Sequence, residues 1–135
     1  MHGHKDSKIE MLRALPLFKG CSEKELEQVS VLVDSVSYEA GHVAIREGVP
    51  LGLECLIIVE GEMAVSHDGE HVATLGRGDV VGEMSLLEPV PRSATVTALT
   101  PVSAVVMDPR GFNSLLDDVP SVAETIVGIA KARHQ

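Results

Sequence analysis

Aromatic side chains are nearly missing from this chain of 135 residues, which contains no Trp, one Tyr and two Phe. Hydrophobic residues nevertheless make up 44% of the sequence, so the core must be aliphatic. Proteins that bind single-stranded nucleic acids stack the bases on aromatic rings, and such rings are largely unavailable here.

Positive charge is also in the minority. Lys and Arg together number 11 against 20 Asp and Glu, which gives a formal net charge of −9. Such a chain repels a phosphate backbone at long range, so we expect no binding to DNA or RNA. A small anion can still bind where local hydrogen-bond donors outweigh the overall negative field.

Cysteines and long apolar runs are scarce as well. Cys21 and Cys55 suit an intracellular protein with free thiols, with one disulfide as the alternative. No apolar run approaches the roughly 18 residues that indicate a membrane helix. The first residues, MHGHKDSKIEM, lack the apolar core of a signal peptide. We therefore expect a cytoplasmic protein without membrane contact.

Along the chain, a segment whose apolar residues have helical spacing is followed by short β segments and then by a second helical segment. The dipeptide Asp68-Gly69 between two β segments predicts a two-residue hairpin turn. No linker divides the chain, so we expect a single domain over residues 1–135, mainly β with flanking helices. Its parts are N-terminal helices (7–35), an antiparallel β-roll or double-stranded jelly roll of about eight strands (36–107), and C-terminal helices (108–135).

The segment GDVVGEMSLLEPVPRSATV (78–96) interrupts the β pattern with glycines and prolines, which are unfavourable inside a strand. Gly82 can adopt a backbone conformation closed to other residues and lets a ligand approach closely. The next residues favour a single helical turn. Its first N–H groups, those of Glu83, Met84 and Ser85, would have no intrahelical partner and would form an anion site.

Arg92 follows Glu83 by nine residues, and a turn limited by Pro89 and Pro91 would fold it back towards those N–H groups. A guanidinium can hold two phosphate oxygens at once. A carboxylate close to a bound anion is unfavourable unless it accepts a hydrogen bond, and a sugar hydroxyl is the natural donor for that bond. Anion site, arginine and acceptor carboxylate together predict a site for a ribose phosphate.

The stretch GEMSLLEPVPRSATV resembles the phosphate-binding cassette of the cyclic nucleotide-binding domain family, placed here at residues 82–94. That family includes catabolite-activator regulators, regulatory subunits of the cAMP-dependent kinase and cyclic nucleotide-gated channels, and the similarity covers nearly the whole chain. It implies a short cassette helix, with Glu83 accepting from the ribose 2′-hydroxyl and Arg92 pairing with the exocyclic phosphate oxygens. The other contacts it implies are the backbone of Gly82, Met84, Ser85 and Ala94, the Ser93 hydroxyl, and a base-lining set of Val65, Val72, Ala73 and Val81.

Two departures from the family pattern stand out. Kinase regulatory subunits carry an acidic residue, which steadies the arginine, at the position of Ala64. Many relatives cover the base with an aromatic residue, which the last helical segment lacks. Val122, Ile126 or Ile129, or a second subunit, would have to take that role.

The resemblance implies a regulatory sensor of a cyclic nucleotide, with cAMP as the expected ligand and cGMP left open by the Ser93 hydroxyl. Phosphate capture would tighten the cassette, shift Leu86 or Leu87 and reposition the helix after Pro120. No helix-turn-helix pattern follows that helix. We therefore expect an effector protein in trans, or a homodimer through the terminal helices, to receive the signal.

Two other classes remain as alternatives: a ligand-free scaffold domain, and a small metal-dependent enzyme of the cupin type. The chain has no nucleophile elbow, Walker loop or paired catalytic acids, so we expect no enzyme activity and no catalytic residues. His67 and His71 flank the predicted hairpin turn and should lie at an exposed tip. We expect no metal and no cofactor.

Overall fold

The computed structural model of the chain describes residues 4–48, 54–83 and 93–133. Its helical segments are α1 (His4–Arg13), a 3₁₀ turn (Pro16–Phe18), α2 (Glu23–Ser30), α3 (Pro109–Asp118) and α4 (Pro120–Arg133). The strands are β1 (Asp34–Tyr38), β2 (Val43–Ile45), β3 (Cys55–Glu60), β4 (Met63–His67), β5 (Glu70–Leu75), β6 (Val80–Val81), β7 (Thr95–Ala98) and β8 (Val102–Met107). None of the described helices is long and apolar enough to cross a membrane.

The helix starts follow local sequence signals. Ser22 caps α2: its hydroxyl accepts from the Glu25 N–H at 3.1 Å, and the Glu25 carboxylate accepts from the Ser22 N–H at 2.8 Å. This reciprocal pair satisfies two N–H groups that the helix leaves without partners. Asp108 caps α3 through the Gly111 N–H at 2.8 Å. Pro109 follows that cap at the first helical position, where its missing N–H does no harm.

The described strands form two four-stranded antiparallel sheets, in the orders β1-β8-β3-β6 and β2-β7-β4-β5. This confirms the predicted fold class of an antiparallel roll of about eight strands with flanking helices. Strand β1 begins at Asp34, two residues before the predicted start of the roll, because its ladder with β8 extends to the Asp34–Val106 pair. The β4–β5 turn has positive φ at Asp68 (51°) and Gly69 (82°), as a tight two-residue hairpin requires.

The core consists of two clusters separated by the first sheet. Along β3 successive side chains point to opposite faces. Cys55 and Ile57 join the helix-side cluster, whereas Leu56 and Ile58 join the roll-interior cluster between the sheets. Apart from Phe18 and Phe112, the buried hydrophobic residues of the described chain are aliphatic or sulfur-containing. The thiols of Cys21 and Cys55 are not joined in a disulfide.

The last helix packs on the helix side of the first sheet. Val122 and Ile126 of α4 are buried in the helix-side cluster, and Ile129 packs partly buried against it. None of the three belongs to the roll-interior cluster. Covering a base in the roll with these side chains would therefore require α4 to move.

Candidate functional site

The site begins where β6 ends. The turn before β6 is fixed by the Asp79 carboxylate, which accepts from the Gly76 N–H at 2.8 Å. The Gly78 N–H donates to the Ile58 carbonyl at 2.7 Å, and the Ile58 N–H donates to the Asp79 carbonyl at 3.0 Å. These bonds attach the approach to the site to β3, whose first four residues are buried.

Gly82 and Glu83 follow β6 directly. Gly82 has φ of 81°, the left-handed region that favours glycine, as expected from the sequence for its backbone conformation. Glu83 is only 3% exposed. A buried carboxylate is unfavourable unless it is paired or hydrogen-bonded, and Glu83 does have an interaction partner. The backbone conformation expected at Gly82 is therefore present, and the acid that follows it is buried.

The far end of the cassette leads into β7. Ser93 is exposed and Ala94 half-buried, immediately before β7 begins at Thr95. Met84, Ser85 and Arg92 lie outside the described residues, as do Leu86 and Leu87. The roles assigned to these five residues, and the short cassette helix, stay predictions.

The predicted base-lining residues lie in three strands of the roll. Val65 of β4 pairs with Ala73 of β5 on one side and with Val96 of β7 on the other. Val65 packs partly buried against the roll-interior cluster, to which Val81 belongs. Val72 is 59% exposed. The structure thus brings Val65, Ala73 and Val81 towards the interior and leaves Val72 at the surface.

A small cavity of about 160 Å³ opens beside this region. Leu56 lies in its wall and pairs with Val81 across the ladder, so the cavity lies next to the strand that precedes Glu83. Sequence reasoning did not identify Tyr38 and Glu54, which contribute its polar groups, because their strands are brought together only by the fold. Burial, and then the charge of Glu54, raises the pKa of the Tyr38 phenol. The remaining lining residues are Val36, Ala44, Ile45 and Val106.

The hairpin tip contacts the end of the cassette, which the sequence did not indicate. His67 Nδ1 lies 2.9 Å from the Ser93 carbonyl oxygen and 3.1 Å from Glu47 Oε2. The Asp68 N–H donates to Glu47 Oε1 at 3.0 Å, and the Glu47 N–H donates to the Thr95 hydroxyl at 3.0 Å. These contacts join the segment around Glu47, the hairpin turn at His67 and Asp68, and the start of β7 next to Ser93.

Glu47, His67 and Asp68 also form a group that could hold a metal ion in the described part of the chain. Glu47, His67 and Asp68 each offer one donor atom, and these atoms lie within 4.8 Å of one another. Asp68 and His67 are exposed, as predicted for a hairpin tip. His67 Nδ1 already donates to a carbonyl, which leaves Nε2, 3.4 Å from Asp68 Oδ2, for an ion. That the chain needs no metal stays a prediction.

The sequence matches the family model of the cyclic nucleotide-binding domain over residues 35–119. Acetyltransferase Pat of Mycolicibacterium smegmatis is 36% identical over 126 residues, which are 90% of this chain and 37% of that protein. The cAMP-dependent protein kinase regulatory subunit of Eremothecium gossypii is 36% identical over 114 residues, which are 84% of this chain and 25% of that protein. The chain thus spans less than half of either relative.

The fold agrees with these matches. The structure of PKAR CBD2 with bound Sp-2Cl-cAMPS superposes with a TM-score of 0.76 at 28% identity and covers 96% of this chain and 91% of that one. The matched residues 35–119 contain all eight described strands except the first residue of β1, and they contain the whole cassette. The chain belongs to the cyclic nucleotide-binding domain family.

Proposed function

We propose that this chain binds cAMP and acts as a regulatory sensor module. The observation that carries the proposal is the pair Gly82–Glu83: a glycine in the left-handed region followed by a 3% exposed carboxylate at the end of β6. A carboxylate buried at the start of an anion-binding turn serves as an acceptor for a hydroxyl group of the ligand. In this fold that hydroxyl is the ribose 2′-OH.

The remaining ligand contacts follow from the cassette. Arg92 pairs with the exocyclic phosphate oxygens, since a guanidinium offers two parallel donors to them. The N–H groups of the cassette turn add donors from the backbone. The base lies against aliphatic side chains of the roll, with Val65 and Val81 at its interior. The Ser93 hydroxyl leaves cGMP as the second ligand to be tested.

We further propose that the chain has no catalytic activity of its own. One relative is an acetyltransferase, but this chain matches only 37% of it. The sequence carries no nucleophile elbow and no Walker loop. The cupin-like enzyme and the ligand-free scaffold are not favoured, because the family match and the cassette geometry at Gly82 and Glu83 both fit a nucleotide sensor.

The signal is passed on by a change in α4, which packs against the helix side of the sheet that carries the site. An effector protein in trans, or a second copy of the chain contacting the terminal helices, receives it. Such a switch requires that the ligand has a different affinity for the chain before and after the change in α4.

Thermal unfolding with cAMP, cGMP and AMP tests the proposal. A ligand present at 100 times its Kd stabilises the native state by about 2.7 kcal/mol. For a domain of this size the melting temperature then rises by about 10 °C. AMP lacks the cyclic phosphodiester and is the matched control. A melting temperature unchanged by millimolar cAMP and cGMP contradicts the proposal.

A further inference from the structure

Two carboxylates lie opposite each other where the β3–β6 ladder ends. The ladder pair at this end joins Leu56 of β3 to Val81 of β6, and both side chains are buried in the roll-interior cluster. Continuing the same antiparallel register by two residues brings Glu54 opposite Glu83. Residues two apart along a strand point to the same face of a sheet. Both carboxylates therefore lie on the roll side of the first sheet, at the entrance of the cassette.

The side chain of Glu54 borders the opening of the roll. It lines the cavity of about 160 Å³ together with Leu56 and Tyr38. Burial, followed by the charge of Glu54, raises the pKa of the Tyr38 phenol, so this charge acts on the cavity. Glu54 itself is exposed, in contrast to Glu83. It therefore stands at the rim of the cavity, next to the acid that begins the cassette.

A pair of carboxylates at this position needs a cation. Like charges directly opposite each other across a ladder are unfavourable, and a cation between them removes the repulsion. Glu54 and Glu83 both have an interaction partner. Within the described residues Arg13 and His67 form ion pairs, but with other acids. Arg92 is the only Lys or Arg of the cassette that begins at Glu83.

An arginine that binds a phosphate also needs to be held. A guanidinium contacts two oxygens at once only when its side chain is fixed in one orientation, which a neighbouring acceptor provides. At the position where the family resemblance implies such an acid, β4 carries Ala64, whose ladder partners are Thr74 of β5 and Thr97 of β7. None of these three side chains is charged. Glu54 offers an acid from the first sheet instead.

We propose that Glu54 is a positioning residue whose carboxylate holds the guanidinium of Arg92 beside Glu83, in the orientation that binds the exocyclic phosphate oxygens of the cyclic nucleotide. The inference rests on the proposed function, in which Arg92 and Glu83 bind the same ribose phosphate, and it adds the residue that orients the arginine. A carboxylate at this rim without such a role would only repel the anionic ligand. The two roles predict opposite effects when the charge of Glu54 is removed.

Calorimetric titration of the full chain with cAMP measures which effect occurs. Glu54→Gln removes the charge with little change in side-chain shape. Loss of the positioning contact should lower the affinity by about threefold, the effect that an exposed ion pair supports. Glu60, at the other end of β3, is exposed as well, so Glu60→Gln is the matched control and should keep the wild-type affinity. Unchanged or tighter binding by Glu54→Gln overturns the inference.

The two phosphorothioate diastereomers of cAMP report on the orientation of the arginine. Each carries sulfur in place of one of the two exocyclic oxygens, so an oriented guanidinium binds them with different affinities. In Glu54→Gln the ratio of the two affinities should fall towards one, whereas Glu60→Gln should keep the wild-type ratio. Equal weakening of both diastereomers, with the ratio retained, would show a merely structural effect and contradict the inference. Equal affinities in the wild type would contradict it as well.

A second substitution covers a failure of the first to fold, which circular dichroism of the ligand-free protein detects. Glu54→Asp keeps the charge but withdraws the carboxylate by one methylene group, so it too should lower the affinity and the ratio. Wild-type behaviour of this variant overturns the inference. Binding of cAMP by the wild type together with such a result leaves the sensor function intact. An absence of cAMP binding by the wild type overturns the proposed function, and the inference falls with it.

Discussion

In the first sheet Leu56 of β3 lies directly opposite Val81 of β6. Both side chains are buried in the roll-interior cluster, at 3% and 4% exposure. This pairing places Gly82 one residue and Glu83 two residues beyond the ladder, attached to a strand that is buried along most of its length. The entrance of the cassette is therefore anchored to the buried interior of the roll.

Replacing the cassette arginine should separate binding from folding. Arg92→Ala is expected to abolish the roughly 10 °C cAMP-induced rise in melting temperature while leaving the ligand-free melting temperature within a few degrees of wild type. The control is Arg77→Ala, which removes an exposed arginine whose bond to the Ala14 carbonyl is long, at 3.4 Å. Unfolding of ligand-free Arg92→Ala would instead assign the arginine to a structural ion pair.

Substitution of Glu83 should test its proposed contact with the ribose 2′-hydroxyl. In the wild type, 2′-deoxy-cAMP is expected to bind about 10- to 150-fold more weakly than cAMP, since a hydrogen bond to a charged group contributes about 1.5–3 kcal/mol. Glu83→Ala should bind both ligands with equal, weakened affinity, measured by calorimetry. The circular dichroism of the ligand-free variant controls for folding, because Glu83 is buried. Retained discrimination against the deoxy ligand would remove Glu83 from the ribose contact.

The glycines of the roll differ in what surrounds them. Gly61 and Gly41 both have positive φ, of 98° and 91°. A Cβ added to Gly61 would overlap the Pro101 carbonyl oxygen, whereas a Cβ added to Gly41 would have no atom within 4 Å. Gly41→Ala should cost about 1–2 kcal/mol of unfolding free energy from the backbone alone. Gly61→Ala should cost about 1–3 kcal/mol more, from the added overlap. Urea unfolding measures both, and equal losses would contradict the role of the close approach.

Metal removal should leave the protein unchanged. Dialysis against EDTA is expected not to lower the melting temperature or the affinity for cAMP, because the predicted site uses hydrogen bonds and an arginine only. If the melting temperature does fall, Glu47, His67 and Asp68 are the candidate ligands in the described part of the chain. His67→Ala would then abolish the effect of the chelator.

Ligand binding should alter hydrogen exchange in the last helix. Val122 and Ile126 of α4 are buried on the helix side of the first sheet, so repositioning this helix must expose or re-bury its amides. Exchange in residues 120–133 is expected to change on adding cAMP, while α2, with its closed capping box, serves as the internal reference. Unchanged exchange in 120–133 would show that the signal does not pass through α4.

Local signals made much of the fold predictable. The capping box at Ser22, the hairpin at Asp68-Gly69 and the helix starts at Pro109 and Pro120 each depend on residues within four positions of one another. The glycine and the carboxylate at 82 and 83 were predictable in the same way, because the cassette is contiguous in sequence.

Features that depend on distant segments were not predictable. The contact between His67 and Ser93 joins residues 26 positions apart, and nothing near either residue indicates it. A register shift between Val65 and Ser66 alters the alternation along the β4–β5 ladder, so the exposure of Val72 could not be derived from a simple two-residue period. The location of Val122 and Ile126 on the helix side depends on how α4 packs, which the helical period leaves open.

The two faces of β3 limit how this domain can be altered. Cys55 and Ile57 pack against the helices while Leu56 and Ile58 face the roll interior, so β3, like β6 and β8, contributes side chains to both clusters. A substitution there that changed ligand affinity would disturb the helix packing at the same time. Glu47, His67 and Ser93 meet outside both clusters, so substitutions of these three residues leave the packing on both sides of the sheet intact.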